Sequence, residues 1–188
     1  AFPCLMVLGR MAYLADDLLG LPRSDKPARR LVHRACMVSA ALVMLGGYLC
    51  IFIAHWPTRQ FLGYDFKQHT WKPISRILHV YLGYLSIGLV LAQVFMGLRK
   101  AEALRLGRRT LTFHGTLGKA IIVLGSAAVL AAVRFWTWSF AMKSLFVLLC
   151  LACVFFGAVW SKPADVQRAA EHAPSEEYEL RGDRAVMD

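Results

Sequence analysis

Four uninterrupted apolar runs, at roughly 31–54, 77–98, 110–133 and 138–160, limit what this 188-residue chain can fold into more than any other feature. Each is about twenty residues or longer, enough as an α-helix to cross a hydrocarbon layer about 30 Å thick. Residues 2–20 form a weaker fifth span, interrupted by Arg10, Asp16 and Asp17. Those acidic residues, and the lack of a basic start, argue against a signal peptide. The chain opens at Ala1 inside this apolar stretch, so a further helix is expected ahead of it. With 57% hydrophobic and 18% charged residues, an ordinary soluble domain is excluded. Neither a solenoid repeat nor a Ser/Gly-rich linker divides the sequence. The reading is one all-α, polytopic transmembrane bundle over 1–160 with five spans visible, followed by a polar, disordered cytoplasmic tail over 161–188.

Charge orients the bundle. The net charge of +10 could suggest nucleic acid, but its distribution points to a membrane instead. Arg23, Lys26, Arg29, Arg30 and Arg34 lie between spans one and two, and Arg99, Lys100, Arg105, Arg108 and Arg109 between spans three and four. Both connections are cytoplasmic-like by the positive-inside rule. The connection 55–76 has four basic residues and 134–143 has two, so those face the other side. The tail, with seven acidic residues against four basic ones, falls inside and reads as solvated.

The cysteines, Cys4, Cys36, Cys50, Cys150 and Cys153, make no zinc-like set. Cys150 and Cys153 have the spacing of a redox pair, yet sit mid-helix among Leu, Ala and Val, as small buried apolar residues do. Cys4 and Cys50 fall near the same outer face, where a disulfide is geometrically open to them.

The histidines carry the chemistry. LHVYLG at 78–83 and FHGTLG at 113–118 share the pattern His-x-x-Leu-Gly, and each opens an apolar run. An imidazole in or near hydrocarbon is costly unless paired, hydrogen-bonded or coordinated. With the orientation above, His33 and His114 stand near the inner starts of outward-running helices, and His79 near the outer start of an inward-running one. Two helix-borne imidazoles at one depth can hold a haem iron axially, with an apolar slot between helices around the porphyrin. Gly83 and Gly118 each follow a histidine by four residues on the same helical face, where a missing side chain gives room for a flat macrocycle. Close helix packing explains such glycines equally well taken singly.

The segments VHRACMV at 32–38, LHVYLG at 78–83 and FHGTLG at 113–118, with FPCLMVLG at 2–9 ahead of them, resemble the helix starts of the cytochrome b561 family. The short, membrane-domain-only reductase-type members look most similar, over about 1–160. The resemblance implies six helices, of which this chain shows the second to the sixth, with a central four-helix core holding two haems b, one near each face. It implies electron transfer from cytoplasmic ascorbate to monodehydroascorbate or ferric iron, as an ascorbate-dependent transmembrane oxidoreductase. By matching position, His33 and His114 would be the axial pair of the inner haem and His79 one ligand of the outer haem. At one position the pattern breaks: the family's second helix opens with His-Pro, and here the pair is Phe2-Pro3. Phenylalanine cannot coordinate iron. Met6, one turn below on the same face, could replace it; His55 or His69 could swing in from the outer loop; or the outer site is five-coordinate or empty.

Arg29, Arg30 and Arg109 precede the inner histidines and reach the same surface, where an anion such as ascorbate, or a haem propionate, would meet arginine's planar fork. The same charges also follow from topology alone. Arg10 lies deeper, a turn beyond Met6, with structural and functional readings both open. His55 and His69 flank outer-loop aromatics in the manner of a membrane interface, and His172 lies in the polar tail. No acid–base or nucleophilic machinery is visible, so the chemistry would be the cofactor's. Two other classes fit the same residues: an accessory subunit of a larger membrane complex with one haem or none, favoured by Phe2, and a quinone-linked cytochrome b subunit. Partners on this reading are a small electron donor, lipid, and a second copy or a membrane complex.

Overall fold

The computed structural model describes residues 2–14, 26–107 and 110–160. Within them lie α1 (Phe2–Leu14), α2 (Lys26–His55), a three-strand hairpin of β1 (Gln60–Phe61), β2 (Tyr64–Asp65) and β3 (Thr70–Trp71), then α3 (Ile74–Arg105), α4 (His114–Phe135) and α5 (Phe140–Val154), which ends in a π-helical turn over Phe155–Val159. Four of these helices are long and apolar enough to cross a membrane, and they coincide with the four apolar runs. In hydrocarbon every backbone polar group must be satisfied within the segment, which leaves the helix as the form such runs can take. The fifth expected span is shorter: α1 has 13 residues, a length of about 20 Å. Residues 15–20 of that span, and the tail at 161–188, lie outside the described residues.

Local chemistry sets the boundaries. Pro27 occupies the first turn of α2 and Pro73 precedes α3, positions where a missing N–H costs nothing. The end of α3 is marked by Gly107 at φ +69, the left-handed conformation that closes a helix without a Cβ clash. Ser139 caps α5, its hydroxyl accepting the Met142 N–H at 3.4 Å.

The helices pack as two close pairs, α1 with α2 and α3 with α4, and α5 lies along α4. Helix α4 is the spine, with 39% of its membrane-length window buried against 17% for each of the other three. Its buried positions include Gly125, Ser126, Ala128 and Ala132, small residues that let neighbouring helices approach. Met6, Ala40, Met44, Val90, Ile121, Ile122 and Cys153 form the apolar core. Large apolar side chains such as Leu42, Ile53, Phe95, Leu98, Leu148 and Phe140 point outward, far more apolar surface than a water-soluble monomer exposes.

Two sequence readings are resolved by this packing. Cys4 lies against α5, its Sγ 3.6 Å from that of Cys153, while Cys50 is exposed on α2; the expected Cys4–Cys50 juxtaposition is replaced by Cys4–Cys153, because α1 lies against α5 there, and all five cysteines are free thiols. Arg10 is structural. Its guanidinium donates to the Gly157 carbonyl at 3.2 Å and to the Trp160 carbonyl at 3.0 Å, satisfying oxygens left open where the π-helical turn ends α5. Arg10→Met, which keeps the stem and removes the donors, should lower stability by about 1–3 kcal/mol, read as earlier thermal unfolding of the purified protein in detergent. An unchanged melting curve would mean that these bonds hold nothing.

Candidate functional site

The sparse contact between α2 and α3 leaves a cavity at the hairpin end of the bundle, the end that the charge pattern would place outside. Its volume is about 550 Å³, and its walls are one face of α2 from Val43 to His55, one face of α3 from Arg76 to Ile87, Ala128, Val129 and Phe135 of α4, and Trp136 just beyond it. Phe2 of α1 closes one side, and the β-hairpin roofs it with Phe61, Leu62, Gly63 and Tyr64. Lower down, the hydroxyls of Tyr48 and Tyr84 meet at 3.4 Å and brace α2 against α3.

His79 sits on this wall with its ring fixed. Its Nδ1 lies 2.8 Å from the Ala128 carbonyl, which accepts only from an N–H, so the proton is on Nδ1 and the lone pair on Nε2. A metal-bound histidine is commonly held by this bond. Gly83, one turn on, also lines the cavity, and a Cβ there would meet nothing within 4 Å; the same holds for Gly47 opposite. Arg76 and Lys72 stand on the lining, Arg76 over the Phe135 ring at 5.1 Å. An apolar slot with a pinned imidazole, bare backbone on facing helices and Arg76 on its lining could hold a flat macrocycle such as haem b.

Phe2 lies at this cavity, and its ring fills the space at Gly125, where a Cβ would come within 2.4 Å of Phe2 Cζ. Met6, one of the residues that could replace the missing ligand, stands off the cavity wall. Met6 is 3% exposed in the apolar core with Met44, Ile121 and Cys153 and does not line the cavity, although Phe2, one turn away on the same face, does. His69 is exposed beyond the wall. His55 does line it, with Nδ1 2.9 Å from the Ile51 carbonyl one turn back.

At the inner end, His33 on α2 has Nδ1 2.9 Å from the Gly9 carbonyl of α1 and Tyr13 edge-on at 5.0 Å. By the same logic its Nε2 carries the lone pair. His114 opens α4, within electrostatic reach of both His33 and Lys100, and its Cε1 lies 3.5 Å from the position a Cβ on Gly97 would take. Its Nδ1 is buried with no hydrogen-bond partner, a vacancy of the kind that a metal ion or a donor would fill. Gly118 proves different from Gly83. A Cβ there would stand 3.2 Å from Gln93 Nε2, and that amide donates to the His114 carbonyl at 2.7 Å. Of the two roles open to it, Gly118 here takes the packing one: it admits Gln93 at the α3–α4 seam. Of the three arginines, Arg29 is buried at 5% exposure and engaged with other groups, Arg30 is exposed, and Arg109 lies outside the described residues. Among the described residues no three or more His, Cys, Asp or Glu side chains gather to hold a bare metal ion. An axial pair is a smaller demand, because a porphyrin brings four nitrogens of its own.

The sequence reading missed the roof. Leu62 and Gly63 both take positive φ, 56° and 76°, forming the two-residue turn that joins β1 to β2. A Cβ on Gly63 would strike Ile77 Cγ1 at 2.9 Å, so glycine is what seats the hairpin on α3. The roof is held by Asp65, 2% exposed, which accepts from Lys72 Nζ at 2.8 Å, Gln60 Nε2 at 3.1 Å and the backbone N–H groups of Lys67 and Gln68, each at 3.1 Å. The signal was present as Phe-Leu-Gly-Tyr between aromatic residues.

Comparison with protein-family models, with curated proteins and with solved structures gave no match to this chain.

The hydrogen bond from Lys72 holds the Asp65 carboxyl below its ordinary range, with the Gln68 and Lys67 amides adding to the effect. A lowered carboxylate contributes stability that is complete above its unfolded value and is lost as pH falls through the folded one. Acidification from neutrality to about pH 5, still above ordinary aspartate titration, should leave hydrogen-exchange protection of the 60–72 amides unchanged once intrinsic rates are corrected. Asp65→Asn should lower that protection at neutral pH. Full protection in the variant would remove Asp65 as the clasp.

Proposed function

We propose that this chain is a b-type cytochrome that carries electrons across a membrane, with α1 completing a fifth span and α1–α4 forming a core for two haems, one near each face. One observation carries the reading. His33 and His79 each spend Nδ1 on a backbone carbonyl of a different helix, Gly9 on α1 and Ala128 on α4, and so present Nε2 from opposite ends of the bundle. Both side chains are half-buried, and the carbonyl bond fixes each ring so that Nε2 is the nitrogen a ligand could take. From His79 to Gly97, the residue beside His114, α3 runs eighteen residues, about 27 Å of helix. The two ends thus lie about a hydrocarbon thickness apart.

Haem b supplies a one-electron relay when bound. The chain's own part is to orient and to exclude. At the inner end His33 and His114 would hold the haem, and the Gln93 amide on the His114 carbonyl fixes the first turn of α4. Exposed Arg30 and, by position, Arg109 would draw an anionic donor to the inner surface; ascorbate is the donor implied by the family resemblance. It would give up one electron and one proton to leave monodehydroascorbate, and the electron would reduce ferric iron or monodehydroascorbate on the other side. At the outer end the hairpin roof covers the cavity with Phe61, Leu62, Gly63 and Tyr64. Phe2, packed on Gly125, supports a second reading in which the outer haem is lost and the chain serves as an accessory subunit with the inner haem alone.

His114→Ala should abolish the inner haem signal in the reduced-minus-oxidised spectrum of purified protein and cut ascorbate-driven reduction at least tenfold, with the fold intact by circular dichroism. An unchanged spectrum would remove the assignment.

A further inference from the structure

We propose that His55 is the second imidazole of the outer haem site, facing His79 in place of the ligand that Phe2 cannot supply. The inference rests on the haem reading above and adds a residue at a place where the family resemblance provides none.

Two helices and one cavity carry it. His55 is the last residue of α2 and His79 lies near the start of α3, and both line the same 550 Å³ space. Their heights follow from the tyrosine brace. Tyr48 and Tyr84 touch at 3.4 Å, so they mark one level on the two antiparallel helices. His55 is seven residues above Tyr48, and His79 is five residues above Tyr84. At about 1.5 Å per residue these are rises of roughly 10 and 7.5 Å, so the two imidazoles start within about 3 Å of the same depth. Seven residues are also two turns, which puts His55 on the side of α2 that Tyr48 already turns toward α3. His79 enters the same space from the α4 side, where the Ala128 carbonyl holds it.

The ring chemistry agrees. The Ile51 carbonyl, 2.9 Å from Nδ1, fixes the proton there and leaves Nε2 of His55 with the lone pair, the tautomer His79 shows opposite. His55 is half-buried, between the solvated hairpin and the apolar slot. Arg76 at the same lining would take a carboxylate of a porphyrin that entered with its polar edge outward. His69, the other outer-loop histidine, is exposed at φ +53 and does not line the cavity.

The test uses the purified full chain loaded with haem, read by electron paramagnetic resonance and by carbon monoxide binding to the reduced protein. Wild type should show two low-spin haems and bind no carbon monoxide. His55→Ala should turn about half of the low-spin signal high-spin, admit about one carbon monoxide per chain and regain the low-spin signal with added imidazole. His55→Met, which keeps a ligand, should stay low-spin with a changed g-tensor and a raised potential. His69→Ala should change none of these. The proposal is overturned if His55→Ala keeps both low-spin signals and refuses carbon monoxide, if His55→Met retains the wild-type outer spectrum, or if wild type itself binds carbon monoxide at its outer haem. A single haem in wild type, lost in His114→Ala, would overturn this ligation and leave the inner site standing; a chain with no haem would overturn both.

Discussion

An imidazole set between packed helices brings two ring nitrogens, and each needs a partner or a share of solvent. Leaving one unsatisfied costs on the order of 1–3 kcal/mol, so helices that carry histidine inward must answer for each nitrogen separately. In this bundle the answer is asymmetric. His33, His55 and His79 each give Nδ1 to a carbonyl, of Gly9, Ile51 and Ala128. The remaining nitrogen is thereby oriented rather than satisfied. The arrangement needs α1 against α2 and α3 against α4, since two of the three carbonyls come from the partner helix of each pair. Pairing, tautomer and site are one constraint.

Helix α4 makes that pairing work. Its stripe of Gly125, Ser126, Ala128 and Ala132 brings the neighbours close, and the place where a side chain is missing at Gly125 is taken by the Phe2 ring. The close pairs leave the α2–α3 side loose, and the looseness is the cavity. Tyr48 and Tyr84 keep it from collapsing, and the Asp65–Lys72 clasp keeps its roof folded. Arg10 closes the far side of the bundle by tying α1 to the end of α5.

Much of this was legible before any coordinates. Apolar length alone located the four long helices, and the two His-x-x-Leu-Gly motifs located His79 and His114, because hydrocarbon makes both run length and polar exceptions conspicuous. What stayed hidden depended on helix rotation and on neighbours. Gly83 and Gly118 look alike in sequence, yet one faces open space and the other faces Gln93. Met6 shares a face with Phe2 by periodicity, but only the packing of α1 shows Met6 itself buried in the core. His55 reads in sequence as an interfacial residue, and only the packing of α2 against α3 shows it on the same cavity wall as His79. The Asp65 clasp could not be foreseen, because its partners converge from both sides of a tight turn.

The account stands on oriented imidazoles holding iron within the bundle, and the most direct measurement is the number of haems b carried by each chain. Pyridine haemochrome absorbance set against quantitative amino-acid analysis of the purified full-length protein gives that number. The account predicts two per chain. A protein that folds, stays monodisperse and takes up none when haem is supplied would contradict it.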